Sequence, residues 1–125
     1  MDIEALYRGY IDCLNRQDWD LLGQHVHEKV EHNGRPFGLA GYRRMLEGNF
    51  ADIPDLRFEI DFLVCEAPRV AARLLFDCMP VGKFMDLPVN GRRVTFSENV
   101  FYEFADGRIQ AVWSVIDKTA IASQL

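Results

Sequence analysis

GKFMDLPVNGRRVTF, Gly82 to Phe96, changes character at Asn90-Gly91. That pair tolerates the positive φ of a tight two-residue connection, so a hairpin turn is expected there. Beyond it the residues alternate. A strand from about Arg92 to Phe104 puts Phe96, Glu98, Val100 and Tyr102 on one side. A second turn pair, Asp106-Gly107, ends this strand and sends the chain back through Arg108 to about Asp117, with Val112 and Ser114 at spacing two.

Upstream of the quoted segment the period is also two. Phe58, Ile60, Phe62 and Val64 alternate with Glu59, Asp61 and Leu63, and Val70 to Met79 sets Leu74, Phe76 and Cys78 against Arg73 and Asp77. The first half has a different period. Leu6, Tyr7, Tyr10, Ile11 and Leu14 recur every three or four residues, the stripe of a helix that runs from Ile3 to near Asn15–Asp18. A shorter helix is expected from Asp18, whose carboxylate would cap its first turn while Trp19, Leu22 and Val26 are buried. HEKVEHNGRPFG then predicts a short extended piece around Val30 to His32 and a loop. A third helix carries Leu39, Tyr42, Leu46 and Phe50 and ends before Pro54. Helices first and a strand meander after them argue for one α+β domain over residues 1–125, its helices packed on one face of a curved antiparallel sheet.

A chain of 125 residues, 49% hydrophobic, has material for one well-buried core. Its net charge of −5, with both signs interspersed, offers no basic surface for nucleic acid or anionic membranes. MDIEALYRGY lacks the apolar core of a secretory signal, and no apolar run approaches the roughly 18 residues of a membrane span. Cys13, Cys65 and Cys78 form no metal-type spacing, and three thiols in such a chain suggest a reducing, cytoplasmic setting.

Taken together, YIDCLNRQDWDLL, VEHNGRPFG, GKFMDLPVNGRRVTF, FADGRI and VWSVIDKTAIASQL resemble the SnoaL-like polyketide cyclases. That resemblance implies the cone-shaped, cystatin-like fold of the nuclear transport factor 2-like superfamily, with a helix-lined pocket. For the antibiotic cyclases of the group it implies intramolecular aldol closure with no metal or organic cofactor. Their acid falls on Ser114 and their imidazole on Val100, so this chain has neither group there. A serine hydroxyl does not replace a carboxylate as a base at neutral pH. A shorter similarity, to the ketosteroid isomerases, places an oxyanion-donating tyrosine at Tyr10 and a base at His32, with a second donor lost at Val100.

The candidate acid–base and donor residues are therefore Tyr10, His32 and Glu98. Tyr10 is either a pocket donor or a core aromatic, and His32 either a base or a ligand contact. Glu98 shares the side of Val100, where desolvation would raise its pKa; the alternative is an ion pair with Arg73 or Arg93, or a place at the rim. Ser114, Val100, Tyr102, Phe96 and Val112 are the expected pocket wall. The spacing HVHEKVEH makes a poor metal site, because His25 and His27 point to different helix faces. Trp113 lies on the face opposite Ser114, and the superfamily resemblance implies that this outer face pairs with a second subunit, which puts Trp113 at a homodimer interface through the sheet or under the helix. Two classes of function follow: a cofactor-free cyclase, isomerase or hydratase acting on a small apolar carbonyl or hydroxyl compound, and a binding or sensing domain, or dimeric interaction module, without chemistry.

Overall fold

The helical stripe at the start of the chain forms α1, Ile3–Asn15, in the computed structural model, which describes residues 2–125. Asp2 caps it, its carboxylate accepting the Glu4 N–H at 3.0 Å, and Tyr7, Tyr10, Ile11 and Leu14 are buried. A 3-10 helix, Trp19–Gln24, follows and buries Leu22. It is tighter and shorter than the helix expected from Asp18. The Asp18 side chain does not cap it, and Val26 belongs to the next element. That element is β1, Val26–His32, and after a loop α2, Gly38–Asp52, buries Tyr42, Leu46 and Phe50.

The remaining strands are β2, Glu59–Glu66; β3, Arg69–Cys78; β4, Lys83–Phe84; β5, Leu87–Pro88; β6, Val94–Ala105; and β7, Arg108–Ile116. Five of them form one sheet in the order β1-β7-β6-β3-β2. The sheet is antiparallel from β2 to β7, as expected, but β1 joins its edge parallel to β7. Tight turns impose antiparallel direction only on the strands they connect, and β1 is separated from its neighbour β7 along the chain by α2 and the other strands.

The β2 strand and the 80–91 segment depart from the expected pattern. In β2 the register shifts between Ile60 and Phe62, leaving Asp61 as an extra residue. Past this bulge Leu63 and Cys65 pack on the core while Phe62 and Val64 face outward, the reverse of the expected phase. The Asn90-Gly91 turn has the expected positive φ at both residues but does not join two paired strands. The hairpin in this region is instead β4–β5, turned at Met85-Asp86, also both at positive φ. Asn90 N–H then closes on Gly82 C=O at 2.8 Å and Gly91 N–H on Pro80 C=O at 2.7 Å, which folds the whole 80–91 segment back on itself. Asp106-Gly107 does make the β6–β7 hairpin.

Asp117 caps α3, Lys118–Ser123, by accepting the Ala120 N–H, and Ile121 is fully buried. No helix among the described residues is long and apolar enough to cross a membrane. The core lies between α1, α2 and one face of the sheet. On the other face Val64, Ala71, Phe101 and Trp113 stand in register across four strands. Phe101 is 60% exposed and Val115, one row on, 69%.

The join between α1 and β2 rests on one carboxamide. Asn15 donates to Phe58 C=O at 2.9 Å and accepts Phe58 N–H at 2.7 Å, satisfying a backbone unit that no strand pairs. Asn15→Ala should lower stability in urea denaturation by about 1–3 kcal/mol. A loss well under about 0.5 kcal/mol would mean water takes over both bonds without cost.

Candidate functional site

Between the helices and the concave face of the sheet lies a cavity of about 160 Å³. Its walls follow from the two sequence periods. From α1, Tyr10, Ile11 and Leu14 project at three- and four-residue steps. From α2, Tyr42, Met45, Leu46 and Asn49 do the same. Alternation on β6 supplies Glu98, Val100 and Tyr102, and on β7 Val112, Ser114 and Ile116. His32 enters from the end of β1. Of the eight residues expected at the site, seven thus line one space. The eighth, Phe96, lines an adjoining lobe of about 70 Å³ that shares the Glu98 wall.

Val100 stands opposite Ser114 in the β6–β7 ladder and Glu98 opposite Ile116, which makes Glu98 the diagonal neighbour of Ser114. Ser114 Oγ donates a hydrogen bond to Glu98 Oε2. Neither arginine considered as a partner for Glu98 reaches it. Arg73 pairs with Asp61 at 3.1 Å and Arg93 with Asp77 at 3.0 Å, both on the solvent side. Glu98 is therefore a carboxyl held by a hydroxyl inside the cavity, and the alternative of an ion pair to Arg73 or Arg93 is set aside. Burial raises its pKa above the usual carboxylate range, and the Ser114 bond offsets part of that rise.

The hydroxyls of Tyr10 and Tyr42 lie 2.7 Å apart, joining α1 to α2. A second pair, Tyr7 and Tyr102, joins α1 to β6 at 3.2 Å. All four are buried, and desolvation pushes each phenol well above its ordinary pKa. They consequently stay protonated at neutral pH and remain hydrogen-bond donors. Tyr42 was legible only as a core residue of its helix. What gives it a polar role is the meeting with Tyr10, a contact 32 positions away in sequence.

The His32 ring stacks on Phe37 at 5.3 Å and meets Tyr42 edge-on at 6.2 Å. Burial lowers its pKa, so the imidazole is neutral at pH 7. His25 and His27 do not join it. His25 packs beside Gly9 of α1, and His27 Nδ1 accepts the Lys29 N–H at 3.1 Å within an irregular stretch of β1. Asn33 is the positioning residue that sequence reasoning missed. Its Oδ1 accepts the Ser114 N–H at 2.8 Å and its Nδ2 donates to the Ser114 C=O at 3.4 Å, an extra rung that pins Ser114 just beyond the end of β1.

A family model described as SnoaL-like polyketide cyclase matches residues 4–125. The chain is also similar to a SnoaL-like polyketide cyclase from Agrobacterium tumefaciens str. C58, with 60% identity, a TM-score of 0.98, and coverage of 99% of this chain and 98% of that one. TsrD from Streptomyces laurentii matches at 24% identity and a TM-score of 0.85, over 99% and 96% of the two chains. IdmH from Streptomyces antibioticus has the same TM-score at 19% identity, over 99% and 98%. These last two share the fold alone. No curated protein matches. The expected α+β architecture, helices against a curved sheet in the nuclear transport factor 2-like manner, is the observed one.

The raised pKa of Glu98 has a consequence for stability. Folding favours its protonated form, so its contribution is full below the ordinary glutamate value of about 4.3 and is lost as pH rises through the raised one. Glu98→Gln removes that loss. Melting temperatures followed from about pH 4 to about pH 8 should show the variant gaining on the wild type as pH rises. A difference that stays flat would mean that Glu98 ionises as an ordinary glutamate.

Proposed function

The chain belongs to the SnoaL-like polyketide cyclase family, and from that membership and the cavity we propose that it binds a small, largely apolar molecule bearing a carbonyl or hydroxyl and moves a proton on it without a cofactor. The observation that carries this reading is the placement of the Glu98 carboxyl against Ser114. Ser114 occupies the position at which the resemblance puts the antibiotic cyclases' acid. Here the carboxyl comes from the neighbouring strand and arrives at the same wall of the cavity.

In this mechanism the substrate oxygen accepts a hydrogen bond from the Tyr10–Tyr42 hydroxyl pair. Ionised Glu98 takes a proton from the carbon beside the carbonyl, and the electron pair of that C–H bond moves into an enolate whose charge the tyrosines stabilise. The enolate carbon then bonds to a second carbonyl carbon, whose π pair becomes an alkoxide that takes the proton back from Glu98, as in a cyclase, or the enolate is reprotonated by Glu98 at another carbon, as in an isomerase. A raised pKa suits the first half, since the group is a stronger base when ionised than an ordinary carboxylate, and the protonated form it reaches is the acid of the second half. Neutral His32 and Ser114 orient the ligand. The three cysteines are unpaired, which fits residence in the cytoplasm.

The apolar row on the outer face supports a second part of the reading: a homodimer formed sheet to sheet. Phe62, Val64, Phe101, Trp113 and Val115 are all exposed there, a large apolar cluster for a monomer to leave in water.

Mass spectrometry of the native protein for retained small molecules, followed by turnover of the retained compound, tests the first part. Glu98→Gln should lower kcat/KM by about 10²-fold or more. His32→Ala should act mainly on KM. In the wild type kcat/KM should rise with pH through a value above the ordinary carboxylate range, and this limb should vanish in Glu98→Gln. Unchanged turnover in Glu98→Gln rejects the mechanism, and a compound that is retained but never converted supports a binding domain instead. For the dimer, Trp113→Glu should convert the species seen by analytical ultracentrifugation to a monomer. A wild type that sediments as a monomer at all concentrations rejects it.

A further inference from the structure

The lobe beside the main cavity is lined differently from the cavity itself. Phe58, Phe76, Phe84 and Phe96 wall it, with Ile53 and Leu56. Their rings form a continuous chain: Phe58 to Phe76 at 5.5 Å, Phe76 stacked on Phe96 at 5.1 Å, and Phe96 to Phe84 at 5.7 Å. Glu98 lines both spaces, so the carboxyl sits on the wall where the tyrosine-lined cavity meets the phenylalanine-lined lobe. A ligand whose oxygen rests on Tyr10–Tyr42 and whose reacting carbon faces Glu98 therefore directs whatever else that carbon carries toward the phenyl rings.

The volumes limit what this substituent can be. An apolar cavity of about 150 Å³ admits benzene. The main cavity, about 160 Å³, is of that size, and the lobe, about 70 Å³, is less than half of it. From this partition, and resting on the reading above, we infer that the ligand carries a short unbranched alkyl arm of about two to three carbons, seated in the lobe, and that Phe84 sets the length of that arm. Phe76 and Phe96 belong to paired strands of the main sheet and Phe58 is tied through its backbone to Asn15, so those walls are fixed. Phe84 alone is carried by the β4–β5 hairpin, which is paired with no strand of that sheet, and its ring is only half-buried.

Binding of para-alkylphenols to the full chain, measured by calorimetry, tests this. Phenol places its hydroxyl at the tyrosine pair and its ring in the main cavity, and the alkyl group extends from there. From phenol to para-propylphenol, affinity should rise about fourfold per added carbon, then level or fall at para-butyl and para-pentyl. In Phe84→Ala the break should move at least one carbon longer, and in Phe84→Trp at least one carbon shorter. Thermal denaturation checks that each variant is folded, and either one suffices. A break unmoved in a folded variant, or affinity that climbs through para-pentyl in the wild type, overturns the inference while leaving the tyrosine site intact. Phenol that fails to bind, or binds equally well to Tyr10→Phe, overturns the reading of the main cavity and this inference with it.

Discussion

The register of β6 against β7 governs what faces the cavity. With Val100 opposite Ser114, alternation turns Glu98, Val100 and Tyr102 inward on one strand and Val112, Ser114 and Ile116 inward on the other. A slip of one residue would bring Phe101 and Asn99 inside and send Glu98 to the outer face. Three constraints hold the register. The Asp106-Gly107 turn sets its origin, Gln110, the extra residue of β7 opposite Glu103 and Phe104, sets its phase, and β3 pairs with β6 along ten consecutive residues on the far side. Beyond the end of β1 the Asn33 carboxamide continues the ladder for one more rung, so the backbone of Ser114 is bonded where a parallel neighbour has already ended.

That framework lets a few polar groups sit in an apolar interior without being left unsatisfied. Ser114 answers Glu98, Tyr10 answers Tyr42, and Tyr7 answers Tyr102. Each bond also ties two elements together, so the groups that give the cavity its chemistry are the ones that hold α1, α2 and the sheet at their mutual distances. Desolvation then acts in the same sense on both kinds of group, favouring the neutral form of each. It makes the carboxyl easier to keep protonated and the phenols harder to ionise, which leaves a titratable carboxyl among phenols that stay protonated.

Much of this was legible in one dimension because periodicity is a backbone property. The α1 stripe, the α2 stripe and the β3 and β6 alternations appear where their residues predict, and with them Tyr10, Val100, Tyr102 and Glu98 on inward faces. Prediction failed where a single residue breaks phase. Asp61 bulges, and Phe62 and Val64 turn outward although their pattern matches that of Phe58 and Ile60. It also failed at Met85-Asp86, a turn without glycine, while the better signal at Asn90-Gly91 marks a reversal that pairs no strands. The 3-10 helix after Asp18 has too few residues for period to distinguish it from an α-helix.

What the sequence determined by itself is the class of fold and which side chains share a face within each unbroken element, since both follow from spacing along one element at a time. The partners of those side chains were decided by tertiary structure. Glu98 meets Ser114 rather than Arg73 or Arg93 because β6 and β7 lie side by side in one register, while Arg73 of β3 reaches Asp61 and Arg93, just before β6, reaches Asp77, both on the solvent side. Tyr42 meets Tyr10 because two helices cross the same concave surface. A hydrogen bond requires two groups within about 3 Å, and a distance between residues far apart in the chain exists only once the sheet has curved and the helices have settled on it.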